Sequence, residues 1–179
     1  MNPWITFLAP PAILASASAS CFAVQYLSVE QAQKVLFPEA TEFVSRPVTL
    51  SPEQAAAIDE ASGVRVRTPN QPVWEAHRGT QQVGWFIVDE VYGKHELITY
   101  AVALSNNGRV LGIEILNYRE SYGYEIRNPA WRAQFVGKTT ADTVKLEADI
   151  KNISGATMSC RHVSEGVRRL LALHEFVLL

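Results

Sequence analysis

The chain has two cysteines, Cys21 and Cys160, and four histidines, too few to suggest a metal centre. His77, His95 and His174 stand far apart, and Cys160 and His162 lack the further ligands that zinc needs. Cleavage of a leader after Ala23 would leave Cys160 alone, so no intramolecular disulfide could form. Basic runs are also missing. Sixteen Lys and Arg are scattered among eighteen Asp and Glu, for a formal net charge of −2. That pattern offers no stripe for a nucleic-acid backbone and no polybasic patch for a membrane surface. There is no G-x-S-x-G elbow. Ser159, His162 and Glu165 supply the residue types of a hydrolase, but all within two turns of one predicted helix. A nucleophile and its base normally converge from different elements, so no catalytic residue is assigned.

The 179 residues give one domain's worth of chain plus extra N-terminal sequence. Residues 1–23 run from uncharged apolar (Trp4 to Ala15) to small (Ser16 to Ala23), the order of a secretory signal peptide cleaved after Ala19 or Ala23. A disordered tail, an uncleaved anchor and a lipidated Cys21 are the alternatives. The expectation is an exported protein, periplasmic or at the outer face of the membrane.

Residues 24–72 read as an N-terminal helical segment. Ser28 and Gln31 have capping-box spacing and Pro38 closes the first helix; Ser51-Pro52-Glu53-Gln54 opens a second, over 52–61, which ends near Gly63. From residue 73 the pattern turns to β. Runs at 73–77, 84–91, 95–104 and 109–116 are rich in β-branched and aromatic residues, and the last three are separated by Gly93 and Asn106-Asn107-Gly108. The fold class is therefore α+β, an antiparallel sheet with flanking helices.

After the strands, Asn152 to His162 contains Ser154-Gly155-Ala156-Thr157 and leads into an apolar helical pattern at 163, 167, 170 and 171. Glycine permits backbone angles closed to other residues, and the free N–H groups of a first helical turn favour an anion. Thr157 and Ser159 are also candidate caps of an ordinary helix. Cys160 stands near this helix start and beside Arg161, both of which favour a thiolate; a packed thiol is the other reading.

Ser154-Gly155-Ala156-Thr157 resembles the flavin-attachment motif of the FMN-binding domain family, which includes FMN-carrying subunits of the sodium-pumping NADH:quinone reductase and of the Rnf complex. A second block agrees: Glu120-Ser121-Tyr122-Gly123, Ile126, Trp131 and Phe135-Val136-Gly137-Lys138 follow the family's E-T-P-G, Ile, Trp and F-x-G-K. The resemblance spans about residues 80 to 173. It implies an FMN-binding domain at 73–179, with FMN phosphate joined to Thr157 by a separate flavin transferase or held there without a covalent bond. Two departures stand out: Lys151 occupies the place of an Asp three residues before the Ser, and Tyr122 that of a Pro.

The resemblance thus implies cofactor-binding residues Ser154, Gly155, Ala156, Thr157 and Ser159, with Glu120, Ser121, Tyr122 and Gly123 over the ring. Trp85, Trp131, Tyr122 and Tyr124 are candidates to pack on the ring, core packing being the better reading for the two tryptophans, and Glu120 and Arg127 are candidates to meet its polar edges, with a solvated charge the alternative. The implied function is electron transfer rather than stand-alone enzymatic turnover, between redox partner proteins that include membrane-bound electron-transport components. A flavin-free binding or scaffold module of the same fold and a small flavin-dependent reductase are the alternatives.

Overall fold

The computed structural model describes residues 24–179; the leader, its cleavage sites and Cys21 fall outside the described residues. Both expected capping boxes form. In helix α1 (Val29–Leu36) the Ser28 hydroxyl accepts the Gln31 N–H while Gln31 accepts the Ser28 N–H, and α2 (Pro52–Ser62) repeats this with Ser51 and Gln54. Each box satisfies two N–H groups that a helix start leaves without partners.

The expected strands are β5 (Val73–Arg78), β6 (Gln81–Tyr92), β7 (Leu97–Leu104) and β8 (Val110–Tyr118), an antiparallel meander. Residues 24–72 are not purely helical. They also contribute β1 (Val24–Gln25), which pairs with β8, and β2 (Glu42–Ser45), which pairs with β5. The sheet order is β1-β8-β7-β6-β5-β2, so the segment before residue 73 supplies both edges. β3 (Val48–Thr49) and β4 (Asn70–Gln71) form a separate two-stranded ribbon. Strands this short carry too little alternation to be recognised in sequence.

Each face of the sheet has its own core. Along β7, Ile98, Tyr100, Val102 and Leu104 point to one face and Ala101 and Ala103 to the other, the period of two that a strand dictates. The small residues face α1, where Phe37, Phe43, Phe86 and Trp74 meet edge to face at 5.7–6.2 Å between ring centroids. The large residues face α2 and α4 (Thr157–Leu173), whose Val163, Val167, Leu170 and Leu171 are buried. Gly166 makes the close approach of α4 possible, because a Cβ there would lie 2.0 Å from the Tyr100 hydroxyl. That hydroxyl donates to Asp89 Oδ2 at 2.5 Å, and Arg169 Nη2 of α4 reaches the same oxygen at 2.6 Å. All three side chains are buried. Burial pushes the Asp89 carboxyl up, against the pull of Arg169 and Tyr100.

Between β8 and α4 the chain makes a 3-10 turn at Tyr124–Arg127, the short helix α3 (Pro129–Arg132) and a 3-10 turn at Ala133–Phe135. The Lys138 ammonium pairs with Asp149 at 2.9 Å, which gives the Lys of F-x-G-K a structural task.

Candidate functional site

Helix α4 starts without a side-chain cap. Ala156 is its N-cap residue, and neither Thr157 nor Ser159 serves in that role. The Cys160 N–H bonds the Ala156 carbonyl, so the N–H groups of Thr157, Met158 and Ser159 have no partner within the helix. Gly155 turns the chain into this start at φ +85°, and a Cβ there would meet nothing within 4 Å. The glycine serves the turn, and the space beside it is open. Asn152 Nδ2 donates to Thr157 Oγ1 at 3.0 Å, while Asn152 Oδ1 is buried without a partner.

A cavity of about 510 Å³ opens at this helix start. It is lined by Gly155, Ala156, Thr157, Met158 and Ser159 on one side, by Arg119, Glu120, Ser121 and Tyr122 after β8, and by Lys94, His95 and Glu96 at the β6–β7 turn. Two blocks more than thirty residues apart in sequence therefore line one space. Ser154 and Gly123 do not line it. Gly123, at φ +90°, packs against the Tyr118 hydroxyl.

Glu120 acts on the protein itself. Its Oε1 accepts the backbone N–H groups of His95 at 2.5 Å and Glu96 at 3.0 Å, clamping the β6–β7 turn to the loop after β8. Burial opposes its ionisation, yet the N–H groups of Glu96, His95 and Lys94 win and hold the carboxyl below its usual range. Ser159 is buried and lies 3.0 Å from the Tyr118 hydroxyl, which donates to the Tyr122 carbonyl at 2.5 Å. The ring-side loop and the helix start are thus tied together. Burial raises the Tyr118 phenol, so it stays a neutral donor.

Tyr122 is 82% exposed at the cavity rim and Met158 is exposed beside it. Tyr124 is exposed but does not line the cavity. Trp131 is buried against Phe135 and donates Nε1–H to the Lys151 carbonyl. Trp85 packs half-buried on the core, and Arg127 stacks on the Tyr26 ring at 3.5 Å. None of these three lines the cavity. Lys151 is exposed and also stands outside it. Cys160 is fully buried and burial raises its thiol, so a thiolate is disfavoured there. His162 Nδ1 meets the Tyr92 and Gly93 carbonyls at 2.5 and 3.1 Å, and no Ser159–His162–Glu165 relay forms.

Sequence reasoning missed Lys94, His95, Glu96, Arg119 and Met158. For the first three, the only local signal was the turn at Gly93; what brings that turn to the site is the long-range Glu120 clamp.

This arrangement suits a phosphorylated, flat, largely apolar ligand. An uncapped helix start favours an anion, and the rim carries an aromatic ring and a thioether. The match to a family model agrees. Residues 93–172 match the family model described as FMN-binding domain. A search of curated proteins finds no match. Among solved structures, the chain is similar to the crystal structure of Shewanella oneidensis NqrC, at 15% identity over 78% of this chain and 80% of that one, with a TM-score of 0.46. The family match covers both the loop that clamps the β6–β7 turn and the uncapped start of α4: the chain carries an FMN-binding domain, and FMN is its cofactor.

Proposed function

We propose that this chain is an exported electron-transfer flavoprotein that holds FMN phosphate at the Ser154–Thr157 loop through an ester to Thr157. One observation carries the reading: both sequence-separated blocks line a single cavity that includes Thr157. The Asn152 amide fits an esterified residue as well as a free one, because an ester oxygen can still accept the hydrogen bond that Thr157 Oγ1 now receives. In the step itself, the Thr157 oxygen bonds the phosphorus of an activated flavin phosphate supplied by a flavin transferase. The hydroxyl proton is lost as the donor's leaving group departs with the electron pair of its bond to phosphorus.

When bound, FMN supplies the redox chemistry. The chain's own groups would hold and orient it: the N–H groups of Thr157, Met158 and Ser159 would receive the phosphate, Glu120 fixes the β6–β7 turn, and the exposed Tyr122 and Met158 leave the mouth open to redox partner proteins. Membrane-bound electron-transport components are the partner class that the resemblance implies. Export rests on the leader at 1–23.

The test uses protein from its own host, denatured, freed of small molecules and digested. A peptide carrying flavin mass on Thr157, in a chain that begins after Ala19 or Ala23, is the expected result. Flavin bound elsewhere, or released completely on denaturation, would reject the ester. A colourless protein that takes up no added FMN would leave the scaffold reading, and an unprocessed Met1 would reject export.

A further inference from the structure

Thr157 also lines a second cavity, of about 320 Å³, to which no residue of the β6–β7 turn contributes. Its helix wall comprises Thr157, Arg161, Ser164, Glu165 and Arg168, spaced so that all fall on one face, and its other wall is the loop Val144 to Glu147. Three cations, Lys145, Arg161 and Arg168, meet two carboxylates here, yet none of these cations forms an ion pair among the described residues. Arg168 Nε is buried with no acceptor, although Nη1 of the same side chain reaches the Thr143 carbonyl at 3.3 Å. A buried donor without a partner is costly.

The loop opposite is held under strain. Val144 and Glu147 have φ of 41° and 62°, a region that a β-branched residue rarely enters. Asp149 holds this shape by accepting the N–H groups of Val144 and Lys145, the Thr143 hydroxyl and the Lys138 ammonium. Burial opposes its ionisation, but these donors keep the carboxyl well below its usual range. Lys145 is thus presented by a rigid, preorganised loop. The larger cavity differs in charge, since its Lys94 and Arg119 are matched by Glu96 and Glu120.

We propose that Lys145, Arg161 and Arg168 are the side chains that recognise the phosphate group of the flavin at Thr157. This inference rests on the FMN reading above and names residues outside the S-G-A-T pattern. Arg161 is one turn from Thr157, with about 5–6 Å between Cβ atoms, within reach of a phosphate on its hydroxyl. The larger cavity is left to the ring.

The test titrates full-length, flavin-free protein, made in a host without the transferase, with FMN and with riboflavin, which lacks the phosphate. Wild type should prefer FMN. Arg161→Ala and Lys145→Ala should each weaken FMN binding by about five- to tenfold, the range for a partly exposed charge-assisted contact, and leave riboflavin unchanged. Arg161→Lys should restore most of the loss, added salt should erode the preference, and Tyr122→Ala should weaken both flavins by the same factor. Unfolding curves matching wild type would show that the variants fold. An unchanged FMN preference in the Lys145→Ala/Arg161→Ala double variant would overturn the inference and leave the FMN reading standing; equal loss of both flavins in that variant would overturn it too. Failure of wild type to bind either flavin would overturn both.

Discussion

Helices α2 and α4 begin in opposite ways. Ser51 and Gln54 close the start of α2 with reciprocal hydrogen bonds, and Pro52 removes one N–H altogether. α4, longer and more deeply buried, starts at Ala156 with no side-chain cap at all. Its stability comes from its buried face, from Gly166 against Tyr100 and from the Arg169–Asp89 pair, so the first turn is free to serve a ligand. Where the start of a helix is sealed, its N–H groups serve the fold; where it is open, they are available to an anion.

The sharpest way to break this comparison is Thr157→Ala. The flavin proposed to be esterified there should be absent by peptide mass, while the unfolding free energy of the flavin-free protein falls by about 0.5–1.5 kcal/mol, the loss of the Asn152 hydrogen bond. Ser51→Ala should do the reverse. Denaturant unfolding should register a loss of about 0.5–2 kcal/mol, with FMN affinity unchanged.

The smallest effect concerns pH. Glu120 has a depressed folded pKa, so its clamp contributes fully above the ordinary carboxylate value of about 4.3 and is lost as pH falls through the folded value. FMN affinity should therefore weaken at acid pH, and Glu120→Gln should be weaker at neutral pH with a flatter acid limb. Affinity measured across pH for both proteins checks this.

The two capping boxes, the four meander strands and the S-G-A-T loop were legible because each is written in a few adjacent residues. Ser28 needs only Gln31, and β7 only its own alternation. β1 and β2 were not legible, since two to four residues hold no period and their identity depends on β8 and β5. The site divides in the same way. Thr157 and Glu120 stand in motifs, whereas Lys94 and His95 reach the cavity only through a carboxylate about 25 positions away. Arg127 shows the opposite error, a residue of suitable chemistry near the motif that is committed to Tyr26, whereas Trp131 lies in the core, the reading that suits a tryptophan. Met158 and Arg161 lie inside the motif stretch, but only the fold shows what faces them.

Strand β6 precedes residue 93, yet α4 rests on it and its Asp89 holds Arg169. A fragment trimmed to 93–172 would keep Thr157, Glu120 and both cavity-forming loops while losing the carboxylate that neutralises a buried guanidinium and leaving β7 with a raw edge. The stretch that carries the residues proposed to hold the flavin is thus smaller than the stretch that can fold. To graft this flavin carrier into another protein, an engineer must transplant β5 and β6 with it.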